Sequence, residues 1–84
     1  MGYRILLASK AAKNLARVDA TLKAQLEKRL TELSVDPFEN SKQLRNWDPP
    51  SRSSRVRDWR IVFEVDREAK VVVVANIDAR GSVY

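Results

Sequence analysis

The sequence contains no cysteine, no histidine and only two glycines. Without cysteine there are no disulfides, thiolate metal ligands or cysteine nucleophiles, and without histidine there is no imidazole ligand or imidazole acid/base. The available chemistry is that of carboxylate, Lys, Arg, Tyr and Ser side chains. We therefore expect no metal ion and no cofactor.

Long apolar segments are also missing. The longest unbroken apolar run, 71–75, has five residues, far short of the roughly 20 that span a bilayer. The N-terminal residues lack the apolar region of a signal peptide. We expect a cytoplasmic protein without membrane contact, and the 84 residues suit a single domain, 1–84.

Positive charge is concentrated in one segment. The chain carries 16 basic and 11 acidic residues, a formal charge of +5. Most of this excess lies between residues 42 and 60, whose bases are Lys42, Arg45, Arg52, Arg55, Arg57 and Arg60. Such a local field attracts phosphate groups. A solvated basic loop without a partner is the alternative, and composition does not decide between them.

The first half of the chain predicts one strand and two helices. Residues 3–8 are rich in apolar side chains and precede Ser9, which we expect to cap a helix over 10–18. Asp19 is placed to cap a second helix. That helix carries an apolar stripe for core packing, formed by Leu22, Leu26, Leu30 and Leu33. It ends at 36–37, because proline disfavours helical geometry in the residue before it.

The second half predicts a loop and three strands. Residues 37–51 are polar and contain Pro-Pro, whereas 52–56, 59–66 and 70–77 have strand character. The middle strand alternates between apolar and mixed positions, which places one face against the helices. The last lacks a clear period, as in a strand buried on both faces. The predicted fold is α+β with the order β-α-α-β-β-β, in which two N-terminal helices pack on one face of a mainly antiparallel four-stranded sheet.

Two arginines are predicted to face each other across a hairpin. If residues 57 and 58 form a two-residue turn, Arg55 lies opposite Arg60, and both project away from the helices. Like charges in this arrangement repel, so the surface favours an anionic partner to which each guanidinium offers bidentate donors. Arg57 is unusual in such a turn, which favours Gly or Asn.

Two further features have alternative interpretations. Gly81 permits a bend that carries Arg80 and Tyr84 over the sheet, but the terminal residues are equally compatible with a frayed tail. Trp47 lies among arginines and is able to stack on a base. A tryptophan beside a Pro-Pro loop more often covers the edge of the core.

Taken in order along the chain, these segments resemble the RelE/ParE toxin superfamily. The resemblance extends over essentially the whole chain and includes LSVDP at 33–37 and KQLRN at 42–46. Its most specific parts are RVRDWRIVF at 55–63 and RGSVY at 80–84.

The resemblance implies a toxin of a type II toxin–antitoxin system, and in its RelE branch a metal-independent endoribonuclease. Such an enzyme cleaves mRNA on the ribosome by attack of a 2′-hydroxyl on the adjacent phosphate, which inhibits translation. The implied catalytic residues are Arg55, Arg60, Arg80 and Tyr84. The basic segment supplies the expected RNA-binding residues Lys42, Arg45, Trp47, Arg52 and Arg57.

One departure from the family concerns the general base. Some active members carry lysines in the second predicted strand, 52–56, where this chain has Ser53 and Ser54. Arginine is a poor proton acceptor because its guanidinium stays protonated. The sequence therefore does not identify the base.

Two other functions remain open. A ParE-like protein would inhibit DNA gyrase by binding, without nuclease activity, and a non-catalytic component would bind operator DNA as part of a toxin–antitoxin complex with a steep salt dependence. All three functions predict a cognate antitoxin whose acidic, extended segment covers the basic sheet face.

Overall fold

The computed structural model describes residues 2–44 and 51–79. The elements follow the predicted order with one additional strand. They are β1 (Arg4–Leu7), α1 (Ser9–Arg17), α2 (Ala20–Val35), β2 (Lys42–Gln43), β3 (Arg52–Val56), β4 (Trp59–Asp66) and β5 (Val71–Ala79).

The strands form one mixed sheet in the order β1-β5-β4-β3-β2. β1 runs parallel to β5, and the other neighbours are antiparallel. The predicted α+β class is confirmed, but the sheet has five strands instead of four. The additional strand, β2, was expected to be loop, because a two-residue ladder against Arg52 and Ser53 has no periodic pattern of its own.

The two helices begin differently. Asp19 caps α2 as predicted, since its carboxylate accepts a hydrogen bond from the backbone N–H of Leu22 at 3.1 Å. The predicted cap at Ser9 is wrong: Ser9 is the first helical residue, and Ala8 occupies the cap position without a side-chain hydrogen bond. Serine is a common cap residue, which is why the sequence favoured Ser9. In the structure β1 ends at Leu7 and the helix begins at Ser9, so the cap position falls on Ala8.

The helices cover one face of the sheet. Leu26, Leu30 and Leu33 are buried along α2, and Leu22 packs against them in a less buried position. They meet a sheet surface that includes Ile61, Phe63, Val72, Val74 and Ile77. The predicted apolar faces of α2 and β4 are therefore confirmed. Burial of these side chains, worth about 1.5–3 kcal/mol each, is the main force that holds the layers together.

β5 is buried on one face only, which corrects the expectation of two buried faces. Val72 and Val74 are inside, whereas Val73 keeps 39% of its surface exposed. A bulge follows, because Val62 pairs with Asn76 while Phe63 pairs with Val74. The extra residue reverses the alternation of side chains in the rest of β5. It therefore changes which of them face the core and which face the open side.

No helix within the described ranges is long and apolar enough to cross a membrane.

Candidate nucleic-acid interface

The β3–β4 hairpin has the predicted register. Val56 pairs with Trp59 and Arg55 with Arg60 across a two-residue turn. Arg57 is the first central residue of this turn and has a positive φ of 57°. Glycine is favoured at such a position because it adopts positive φ without strain. The two arginines therefore lie side by side on the sheet face opposite the helices.

A carboxylate on β5 offsets the repulsion between these arginines. Asp78 pairs with Arg60 in the ladder, and its Oδ1 lies 3.9 Å from Arg60 Nε. The two side chains are only 16% and 20% exposed. Asp78 Oδ2 also accepts a hydrogen bond from Asn76 Nδ2 at 3.0 Å. The row Arg55–Arg60–Asp78 thus crosses three strands and places a carboxylate on one side of the Arg60 guanidinium.

Sequence reasoning missed Asp78, because its alignment with Arg60 depends on the bulge in β5. A register without the bulge would shift β5 by one residue and place Asp78 on the other face of the sheet.

A further cation reaches the hairpin from α2. Arg29 Nη1 donates to Ser54 Oγ at 2.8 Å and to the Arg55 carbonyl oxygen at 2.9 Å. Its Nε donates to Glu32 Oε1 at 2.9 Å. Sequence reasoning missed Arg29. In the sequence it is one of several basic residues beside the apolar stripe of α2, and nothing distinguishes it from a solvent-exposed arginine. Its contacts join α2 to the strand that carries Arg55.

The loop after α2 is held against β3 by hydrogen bonds. Arg52 Nε donates to Ser41 Oγ at 2.7 Å, and its Nη2 donates to the Ser41 carbonyl at 3.2 Å. Ser54 Oγ donates to the Asn40 carbonyl at 2.6 Å. The Phe38 ring lies under two guanidinium carbons, that of Arg52 at 5.0 Å and that of Arg67 at 4.6 Å. These contacts hold the loop against the helix side of β3, next to the short edge strand β2.

The loop, β2, β3, β4 and α2 enclose a cavity of about 770 Å³. Its lining residues are Arg29, Glu39, Asn40, Ser41, Lys42, Ser53, Arg55 and Arg60. Four are basic and one is acidic. The volume is in the range of small-molecule sites. We refer to this space as the basic cavity.

The structure gathers some of the predicted site residues and separates others. Arg55, Arg60 and Lys42 all line the basic cavity. Arg52 pairs with Phe63, so its side chain lies on the helix side and binds the loop instead of the cavity. Arg57 is exposed at the turn, where its Nη1 lies 3.4 Å from Gln25 Oε1 on α2.

The remaining predicted site residues lie outside the described ranges: Arg45, Trp47, Arg80 and Tyr84. Within those ranges, no group of three or more acidic side chains is arranged to hold a metal ion.

A match to a family model identifies the chain as a small toxin. A family model described as the ParE toxin of the type II toxin–antitoxin system, parDE, matches residues 5–84. The chain belongs to the RelE/ParE superfamily of type II toxin–antitoxin toxins. No curated protein sequence matches it at a significant level.

Solved structures show the same fold. The isolated RelE toxin of E. coli is 30% identical, with a TM-score of 0.80 over 98% of this chain and 90% of that one. The intact E. coli RelBE toxin–antitoxin complex matches at 29% identity and a TM-score of 0.80, over 92% and 95%. The RelBE2 complex of Mycobacterium tuberculosis matches at 23% identity and a TM-score of 0.86, over 95% and 100%.

Proposed function

We propose that this toxin is a ribosome-dependent mRNA endonuclease whose catalytic surface is the basic cavity. The observation that carries the proposal is the direct opposition of Arg55 and Arg60 on the open sheet face. Lys42 and Arg29 line the same cavity. Opposed cations of this kind repel each other, and a phosphate bound between them lowers that repulsion.

The proposed reaction uses the RNA's own 2′-hydroxyl as nucleophile. Its oxygen attacks the adjacent phosphorus, and negative charge accumulates on the phosphoryl oxygens. Arg55 and Arg60 donate hydrogen bonds to those oxygens, and Asp78 orients Arg60 for the task. Preorganised donors of this kind are commonly the largest contribution to catalysis. The ribosome aligns the RNA strand, which supplies the orientation.

The resemblance adds two residues from the C-terminal segment. Arg80 is proposed as a further phosphate ligand and Tyr84 as a residue that stacks on or orients the nucleotide. In the basic segment, Arg45, Trp47 and Arg57 are proposed RNA contacts outside the cavity. Arg52 is omitted from this set, because its guanidinium binds the 37–41 loop.

The test is cleavage of a defined mRNA on purified translating ribosomes. Replacing Arg55 and Arg60 by alanine removes both opposed guanidiniums, and we expect the cleavage rate to fall by about 100-fold or more, as for loss of oxyanion ligands. A double variant with Lys10→Ala and Arg17→Ala on α1 removes equal charge from exposed positions and should cleave like the parent. Parental cleavage by the Arg55/Arg60 variant would contradict the proposal.

We further propose that a cognate antitoxin covers the open sheet face. RelE relatives are known as toxin–antitoxin complexes in E. coli and Mycobacterium tuberculosis. On this chain the open face combines the basic cavity with the exposed apolar side chains of Leu6 and Val73, which pair in the ladder. Such a face suits an extended segment with acidic and apolar residues.

Co-expression with the neighbouring gene tests the antitoxin proposal. A small acidic protein should co-purify and should dissociate more readily from the Arg55/Arg60 double variant at low salt, with a smaller difference at high salt because the charges are then screened. Purification of the toxin alone under these conditions would contradict the proposal.

A second candidate function is ParE-like inhibition of DNA gyrase. Two observations favour it: the matching family model is that of the ParE toxin, and Ser53 and Ser54 stand where some ribonuclease members have lysines. Trapped, cleaved DNA in a gyrase assay, together with intact mRNA on ribosomes, would select this function over RNA cleavage.

A further inference from the structure

The basic cavity contains one carboxylate among its lining side chains. We propose that this residue, Glu39, is the general base that removes the proton from the attacking 2′-hydroxyl. The inference rests on the proposed ribonuclease function and supplies the proton acceptor that the arginines do not provide.

The composition of the cavity wall supports Glu39 by its chemistry. Arg29, Lys42, Arg55 and Arg60 are cationic donors, and Asn40, Ser41 and Ser53 are neutral side chains with weak basicity. An ionised carboxylate accepts hydrogen bonds only, and it becomes an acid after it has taken a proton. Glu39 is therefore the proton acceptor available among the described lining residues.

Asp78 is the other carboxylate near the arginines, and its contacts assign it a different role. Its Oδ1 faces Arg60 Nε at 3.9 Å, and its Oδ2 accepts from Asn76 Nδ2. The side chain is 16% exposed and does not line the cavity. Asp78 orients Arg60, whereas Glu39 is exposed and faces the space that a nucleotide would fill.

The backbone around Glu39 is held in place on both sides. On one side, Asp36 Oδ1 accepts from the Phe38 backbone N–H at 3.0 Å. On the other, the Asn40 carbonyl accepts from Ser54 Oγ at 2.6 Å, and Ser41 is bound by Arg52. A base needs a fixed position relative to the hydroxyl it deprotonates. The loop provides that rigidity although it lacks regular secondary structure.

The cations and the carboxylate come from different walls of the basic cavity. Arg55 and Arg60 project from the sheet, and Glu39 projects from the loop that forms the wall. A nucleotide bound between them presents its phosphate to the sheet and its ribose to the loop. The base and the phosphate ligands then act on different atoms of one substrate.

The step balances without any cofactor. The Glu39 carboxylate takes the 2′-hydroxyl proton while the 2′-oxygen forms a bond to phosphorus. The bond between phosphorus and the 5′-oxygen breaks, and that oxygen takes a proton from water. The products are a 2′,3′-cyclic phosphate and a 5′-hydroxyl. Hydroxide from the same water returns Glu39 to its ionised form.

Glu39→Gln tests the inference in a single-turnover assay on ribosomes, with RNA binding measured separately. The substitution keeps the shape of the side chain and removes its basicity, so the cleavage rate should fall by about 100-fold or more, in the range of general-base catalysis. Affinity should be equal to or tighter than that of the parent, because a negative charge has been removed from a phosphate site. Glu39→Asp, which keeps a shorter carboxylate, should retain an intermediate rate.

Two results would overturn the inference. In the first, Glu39→Gln cleaves at a rate similar to the parent, or faster through tighter binding. In the second, RNA affinity and amide protection of residues 37–41 fall along with the rate, which indicates a role in the fold of the loop. A parent protein that cleaves no mRNA would instead refute the proposed function, so the two failures are distinguishable.

Discussion

At the scale of single residues, the positive charge of the cavity comes in part from two adjacent arginines. Arg55 and Arg60 oppose each other in the ladder, and the Arg60 side chain is only 20% exposed. Partial burial of a guanidinium is costly unless it has counter-charges or acceptors. Asp78 provides a carboxylate on one side of Arg60. In the proposed reaction, the phosphate binds between Arg60 and Arg55. The same pair thus contributes to both the fold and the site.

Asp78→Ala should therefore weaken the fold as well as the activity. We expect the free energy of unfolding to fall by about 1–2 kcal/mol, between the values for exposed and for buried ion pairs. Asp78→Asn, which keeps the volume and an acceptor for Asn76, should lose less. Urea denaturation of the three proteins measures this, and an Asp78→Ala variant as stable as the parent would contradict the assigned role.

Arg57 carries backbone strain at the hairpin turn. Its φ of 57° lies in the left-handed region, which costs an L-residue about 1–2 kcal/mol relative to glycine. Its hydrogen bond with Gln25 is long and exposed, and therefore contributes little to the stability of the fold. This strain is compatible with a side chain retained for binding.

Arg57→Gly should stabilise the protein. The relieved strain exceeds the entropy cost of glycine in the unfolded chain, about 0.4–1 kcal/mol, so the net gain is roughly 0.5–1 kcal/mol. Arg57→Ala keeps the Cβ atom and serves as the control that loses the charge without relieving the strain. Thermal unfolding that ranks alanine above glycine would show that the turn is not strained.

At the scale of elements, β3 presents a different function on each face. Ser53 and Arg55 line the basic cavity, while Arg52 and Ser54 bind the loop that forms the cavity wall. The alternation of a strand therefore couples the site to its support.

Arg52→Ala should loosen the 37–41 loop while the sheet remains folded. The variant loses the hydrogen bonds to Ser41 and the contact with Phe38. We therefore expect the free energy of local opening of the loop to fall by about 1–3 kcal/mol. Hydrogen exchange should rise in residues 38–41 and remain low in β4. Arg52→Lys keeps the charge without the planar fork and should protect the loop only partly. Unchanged exchange in Arg52→Ala would contradict this support.

The sequence predicted elements whose evidence is local. Asp19 was identified as a cap and α2 by its leucines, and the hairpin register followed from the turn length. β2 and the bulge in β5 were missed because each depends on a neighbouring strand. Propensity and periodicity do not contain that pairing information.

The candidate site was predictable to the same extent. Arg55 and Arg60 follow from the hairpin, but Arg29 and Asp78 reach them only through tertiary contacts. The separation of Arg52 from Arg55 was available from the sequence, because residues three apart in a strand point to opposite faces.

At the scale of the whole molecule, the two faces of the sheet have separate tasks. One face is closed by the apolar surfaces of α1 and α2 and supplies the stability of the fold. The open face carries the basic cavity and, nearer β1, the exposed side chains of Leu6 and Val73. Under the proposed function, a nucleic acid and the antitoxin compete for overlapping parts of this surface. That competition is a direct physical route to neutralisation of the toxin.

Mapping the 5′ ends of cellular mRNA after induction of the toxin tests the central claim most directly. The account predicts new ends within translated regions, in register with codons, and their disappearance in the Arg55/Arg60 double alanine variant. Unchanged transcript ends in cells whose growth the toxin arrests, with cleaved DNA accumulating on gyrase, would contradict it.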